Sequence, residues 1–213
     1  MSTEGDKQYW DKKAPSYAKS PVADEAGYQR TLEKTRSLLK PTDTVLELGC
    51  GTGSTALKLA DAVKSYLGSD ISREMIKIAI EKQTGEETKH FGLSFCAATA
   101  EELAAKPVRF TTILGFNYLH LVSDLAATLK ATHSLLEDEG LLITKTPCLG
   151  DMNFLLRWGV PVVRLFGVGP TVTIFTETEL SKLLRDAGFE VLETEKHASK
   201  GDDSRPFIVA RKK

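Results

Sequence analysis

Residues 45–53, VLELGCGTG, constrain the fold of this chain more than any other stretch of it. An apolar run carrying one acid, Glu47, empties into three glycines at alternate positions, Gly49, Gly51 and Gly53, and a helix-compatible segment, STALKLA, follows. Such a strand–loop–helix turn lets a ligand touch backbone. Glycine tolerates positive φ and carries no Cβ, and the helix behind it offers free N–H groups to a polar ligand. A second acid, Asp70 in YLGSDIS, closes the next strand-like run about 20 residues on, where α/β nucleotide-binding folds place a ribose-binding carboxylate.

The rest of the chain alternates in the same way. Tyr28, Leu32, Thr35 and Leu39 recur at helical spacing over residues 25–39, and Pro41 stops that helix. Strands are expected at 45–48, 65–68, 93–96, 111–116 and 141–145. Helices are expected at 55–61 and 124–136, with one more that is capped by Ser72 and carries a stripe of Met75, Ile76, Ala79 and Ile80. Alternation of this kind requires a parallel sheet with helices on both faces. Near the end, Thr176 and Glu179 form a capping box and Gly188 closes the helix they open. Two strand-like runs, 189–196 and 206–211, are then joined by KGDDSR with no helix between them, so they form a hairpin and the last strand is antiparallel to its neighbour. The expected fold is α/β, a three-layer sandwich around a seven-stranded, mostly parallel sheet.

The glycine spacing separates two kinds of nucleotide site. The dinucleotide fingerprint needs G-x-G-x-x-G, and a pattern begun at Gly51 meets Ala56 where the last glycine belongs. An acid two residues before the first of three alternating glycines instead resembles the first motif of the class I S-adenosylmethionine-dependent methyltransferases. The resemblance runs from about residue 38 to the C terminus and implies a Rossmann-like fold with a reversed last strand. It also implies S-adenosyl-L-methionine as cofactor. On this reading residues 1–40 are a helical lid or cap, and 41–213 are the methyltransferase domain with an apolar insertion at about 149–175.

By resemblance, Gly49, Gly51 and Gly53, with Cys50 between them, lie against the amino-acid and ribose parts of the donor. Glu47 attracts its α-ammonium, Asp70 accepts the ribose hydroxyls, and Ile71 and Met75 pack on the adenine. The family usually has an acid after the third strand for the adenine amino group; here Thr99 stands in its place, followed by Ala100 and Glu101. Thr111 replaces a common aspartate at the start of the fourth strand. That strand ends in Phe116, Asn117 and Tyr118, which point the sheet tip, Asn117 and Tyr118 among the donor contacts, at the transferring methyl. Asn-Pro-Pro-Tyr, typical of enzymes that methylate base or glutamine amides, is absent there.

His120 is the histidine near this site and is a candidate base for a hydroxyl acceptor, with Tyr17 as a second catalytic candidate. His90, His133 and His197 read as surface residues. The N-terminal segment interleaves Tyr9, Trp10, Tyr17 and Tyr28 with polar residues, suiting either a lid over the acceptor or simple anchoring of the terminus. The insertion after the fifth strand is dense in apolar side chains, Phe154 and Trp158 among them. It suits an acceptor wall, a dimer contact or a membrane contact.

Composition narrows the partners. With 213 residues, 27% of them charged, and a formal charge of −1, the chain suits one α/β domain and has no basic face for nucleic acid. A small, partly apolar acceptor is expected, methylated first of all on oxygen, by a monomer or homodimer. No apolar run reaches the ~18 residues of a membrane span, and the polar start MSTEGDKQYWDKK is not a secretory signal. Cys50, Cys96 and Cys148 lack metal-ligand spacing, so no metal is expected, and they fit the reduced thiols of a cytoplasmic protein. Cys50 reads as a small residue in a tight turn rather than a nucleophile, having no histidine near it in sequence. Two other readings stay open: a catalytically silent binding or regulatory protein of the same fold, and an NAD-dependent oxidoreductase. The latter needs Tyr-x-x-x-Lys near the sheet tip, where Tyr118 is followed by Val122.

Overall fold

The computed structural model describes residues 3–85, 92–152, 169–201 and 203–213. Two helices, α1 (Thr3–Tyr17) and α2 (Glu25–Leu38), precede the alternation of β1 (Thr44–Leu48), α3 (Ser54–Leu59), β2 (Ser65–Asp70), α4 (Arg73–Gly85), β3 (Leu93–Ala97), α5 (Ala100–Ala104), β4 (Phe110–Phe116), α6 (Leu125–Leu135) and β5 (Leu136–Lys145). Helix α7 (Glu177–Asp186) and the hairpin β6 (Phe189–Glu195) and β7 (Phe207–Lys212) complete the chain. The sheet order is β3-β2-β1-β4-β5-β7-β6. Only β7 runs against the others, paired antiparallel to β5 on one side and β6 on the other.

Both faces of the sheet are covered, so neighbouring residues of one strand feed opposite cores and the strands read as continuous apolar runs. In β1, Leu46 and Leu48 join Ile113, Leu129, Leu142 and Leu184 on one face. Val45 joins Leu32, Leu59, Tyr66, Leu114, Ile143 and Phe207 on the other. Leu32 of α2 and Leu39 just after it sit in that second core, so α2 packs on the sheet.

Three local features depart from the sequence reading. Helix α5 was not expected from AEELA, in which Ala100 and Leu103 alone are buried; Thr99 and Glu102 start it with a reciprocal capping box. Strand β5 begins at Leu136 rather than 141, because Leu136 pairs with Phe110 across a register shift and carries the charged EDE run along the strand. His197 is a core residue, 4% exposed, with its ring stacked 4.5 Å from Phe207 and Nδ1 3.0 Å from the Thr31 hydroxyl. His133 is half-buried edge-on to Phe189, while His90 lies outside the described residues. Residues 153–168, with Phe154 and Trp158, also lie outside them.

Candidate active site

The loop after β1 holds Gly49, Gly51 and Gly53 at φ 67°, 53° and 75°, the left-handed region that glycine occupies without strain. The three have different reasons for lacking a side chain. A Cβ on Gly49 would lie 2.6 Å from the Tyr118 ring, and one on Gly51 would face the Tyr17 ring at 3.7 Å. A Cβ on Gly53 would lie 2.9 Å from Ala79 of α4 and from Phe95 of β3. The missing side chain at Gly53 therefore lets the start of α3 approach α4 and β3.

Asp70 ends β2 and fixes the loop from the next strand. One carboxylate oxygen accepts the Gly51 N–H at 3.0 Å, and the other accepts the Ser72 N–H at 2.9 Å. Burial raises its pKa, and those N–H groups partly offset the effect. Glu47, 3% exposed, accepts the Tyr66 hydroxyl at 2.9 Å. Burial lifts its carboxyl to about 8, a rise that the Tyr66 hydrogen bond only partly counters.

Two cavities meet over this loop. The first, of about 560 Å³, is lined by Trp10, Gly49, Asp70, Ile71, Met75, Thr99 and Glu101, and it extends to Leu121–Asp124 and α6. The second, of about 330 Å³, is lined by Glu47, Cys50, Tyr28, Thr31, Asp24, Lys145, Asp203 and Arg205. Tyr17, Gly49, Gly51, Phe116 and Asn117 line both. Asn117 holds φ 51° and donates its N–H to the Lys145 carbonyl at 2.7 Å, so the end of β4 is bent across the tip of β5. The Tyr118 ring is buried behind Gly49, and burial pushes its pKa far up.

Helix α1 roofs the first cavity and is pinned at two points. Asp11 accepts the Ser72 hydroxyl at 2.6 Å and the Glu74 N–H at 3.2 Å, capping α4 from another helix. Asp6, itself buried, accepts the Thr171 N–H at 2.7 Å, tying α1 to the far end of the insertion. Trp10 stands edge-on to Tyr17 at 6.3 Å and to Tyr9 at 5.2 Å, but Tyr9 lines neither cavity. Tyr28 lines the second cavity with its hydroxyl 3.2 Å from that of Thr55.

Other expected residues fall differently. The Thr99 hydroxyl already accepts the Glu102 N–H, and its lining position is shared with Ala98. Ala100 is packed in the core and touches neither cavity, whereas Glu101 accepts the Thr128 hydroxyl at 2.7 Å. Cys50 is buried, and desolvation drives its thiol well above the ordinary range, so it is no nucleophile. His120 lies outside both linings, with Nδ1 3.0 Å from the Thr146 hydroxyl and burial lowering its pKa to about 4. Asp6 in the first cavity and Lys145, Asp203 and Arg205 in the second escaped sequence reasoning, since each cavity gathers residues far apart in the chain.

The glycine loop, the acid that ends β2 and the strand order together define a class I methyltransferase fold, and comparison with known proteins agrees. A family model described as a methyltransferase domain matches residues 21–194. The chain belongs to that family, the class I S-adenosylmethionine-dependent methyltransferases. It is 28% identical over 150 residues to the ubiquinone biosynthesis O-methyltransferase of Ruegeria pomeroyi, covering 68% of this chain and 59% of that one. It is 28% identical over 178 residues to the magnesium-protoporphyrin O-methyltransferase of Synechocystis, covering 79% and 74%. The chain thus spans under two thirds of the length of the first of these relatives. Among solved structures, the cyclase SpnF superposes with a TM-score of 0.75 at 19% identity, covering 100% of this chain and 97% of that one, a likeness of fold alone.

Proposed function

We propose that the chain transfers a methyl group from S-adenosylmethionine to an oxygen of a small, partly apolar molecule. The observation that carries the reading is the continuity of the two cavities over a glycine loop that Asp70 braces from β2. The residues fit the cofactor of the family. Each Asp70 oxygen has a lone pair left for a ribose hydroxyl, the Gly49 and Gly51 positions leave backbone open to contact, and Ile71 and Met75 offer an apolar shelf for adenine. Glu47 offers its carboxyl to an α-ammonium from the second cavity.

When bound, S-adenosylmethionine supplies a methyl group on a cationic sulfur, open to in-line attack by a nucleophile. The protein's part is then to grip, orient and exclude water, which lowers such a barrier by up to roughly 10 kcal/mol. Trp10 and Tyr17 on α1 close the roof, and the bent Asn117 segment lines the junction where the cavities meet. Among the described residues no helix is long and apolar enough to cross a membrane. Free Cys50, Cys96 and Cys148 support a cytoplasmic setting.

The test is Asp70→Ala. Hydrogen bonds to a charged group are worth about 1.5–3 kcal/mol each, so donor affinity in calorimetry falls at least tenfold. Unchanged affinity would remove the reading. Methyl-labelled donor incubated with a metabolite extract identifies the acceptor, and tight donor binding with no labelled product would favour a silent binding protein.

A further inference from the structure

We propose that the acceptor enters the second cavity as an oxyanion, a carboxylate or an acidic hydroxyl already ionised, and that the Lys145 ammonium holds it. The proposal rests on the methyl-transfer reading above and deepens it to a substrate class.

Lys145 is the last residue of β5, at the rim where the cavities meet, and its side chain is 15% exposed. An ammonium has three donors. Among the described residues Lys145 spends one on the Thr31 hydroxyl at 3.2 Å, and its nearest carboxylate, Asp203, stands 3.9 Å away. Asp203 is committed elsewhere, accepting the His197 and Ala198 N–H groups on one oxygen and the Arg205 N–H on the other. Asp24, also on this cavity, accepts from Gly27 and Ser199. Glu47 is mostly neutral at pH 7. A buried cation short of acceptors is costly unless a ligand supplies them. In keeping with this, burial lowers the Lys145 pKa, and Asp203 only partly restores it.

The proton balance points the same way. Among the described residues no histidine lines either cavity. The Asp70 oxygens hold backbone N–H groups, Glu47 carries its own proton, and burial with the nearby Asp70 and Glu47 charges raises the Tyr17 pKa. In the second cavity Asp24 and Asp203 already accept backbone N–H groups, so among the described residues a neutral hydroxyl there meets no uncommitted carboxylate to take its proton. An oxyanion needs none: its lone pair forms the O–CH₃ bond, the CH₃–S bond breaks, and that pair returns to sulfur to leave a neutral thioether. The methylated product has lost the charge that Lys145 held, which weakens its grip and favours release.

The experiment has two arms. In the first, protein saturated with the demethylated donor product is titrated with benzoate or with benzamide, its neutral counterpart, while the Lys145 Nζ resonance, assigned with Lys145→Arg, is followed. Benzoate moves the resonance and benzamide does not; no response to benzoate, or equal responses, overturns the proposal. In the second, methyl-labelled donor meets a metabolite extract. Labelled products derive from parents retained on an anion exchanger at pH 7, and Lys145→Met lowers kcat/KM for that acceptor more than tenfold with donor Kd within twofold. Lys145→Arg retains part of the activity. Label in neutral or cationic parents overturns the proposal. So does a tenfold loss of donor affinity in Lys145→Met, which would assign the lysine to the donor's own carboxylate. An extract that yields no product refutes methyl transfer itself, while the benzoate arm still decides whether Lys145 holds an oxyanion.

Discussion

Glu47→Gln is expected to make the ligand-free protein more stable and the donor site worse. Burial holds the Glu47 carboxyl near 8 against an ordinary 4.5, so between those values the folded chain keeps a proton that the unfolded chain releases. Stability from this group is complete below about pH 4.5 and is lost as pH rises through about 8. At pH 7 the deficit amounts to about 3 kcal/mol. Glutamine is neutral at every pH and still accepts the Tyr66 hydroxyl, but its buried amide N–H₂ lacks a partner and takes back about 1 kcal/mol. The net gain of about 2 kcal/mol corresponds to about 4–8 °C in Tm for a chain of this size. Scanning calorimetry at pH 5 and pH 8 tests it: the gap between variant and wild type is small at the lower pH and widens at the higher. The same variant cannot ionise when an α-ammonium arrives, as Glu47 can once a neighbouring cation draws its pKa down, so donor affinity falls about tenfold or more. A variant no more stable than wild type at pH 8, or a gap indifferent to pH, would refute the reasoning.

Gly53→Ala drives a Cβ into Ala79 and Phe95 at a positive φ, and it lowers unfolding free energy in urea by about 2–4 kcal/mol with an unchanged m-value. His120→Ala leaves donor affinity within twofold and turnover within about fivefold, because the ring lies outside both cavities; a loss near 100-fold would restore it as a base. Asp11→Ala removes the acceptor that binds α1 to the start of α4, so trypsin cleaves at Lys12 and Lys13 faster while the core melts within about 1.5 kcal/mol of wild type.

Local signals carried the sequence reading far. The spacing of Glu47, Gly49 and Gly51, the Thr176–Glu179 capping box and the helix-free link before the last strand each act within a few residues, and each has its expected place in the structure. What stayed hidden was either weakly patterned or assembled over distance. Helix α5 buries only two of its five residues, too few to show a period, and the start of β5 is masked by charges that face solvent. The second cavity is harder still: Thr31, Lys145 and Asp203 are brought together by the packing of α2 on a sheet whose strands come from both ends of the chain. His120 is a different case, since its closeness in sequence to the tip of β4 goes with a ring outside both cavity linings.

The position of β7 also sets an order of events during synthesis. It is the last of the seven strands to be made, yet it lies inside the sheet, with Phe207, Ile208 and Ala210 fully buried between β5 and β6. Until it arrives, β5 has an unpaired edge and β6 has no place to dock, so a nascent chain presents a sticky, unfinished sheet at the rim that carries Lys145. The second cavity cannot take shape before the hairpin has inserted. Completion of this part of the sheet therefore waits on residues 207–212, and a chain stalled before residue 207 is a candidate for aggregation.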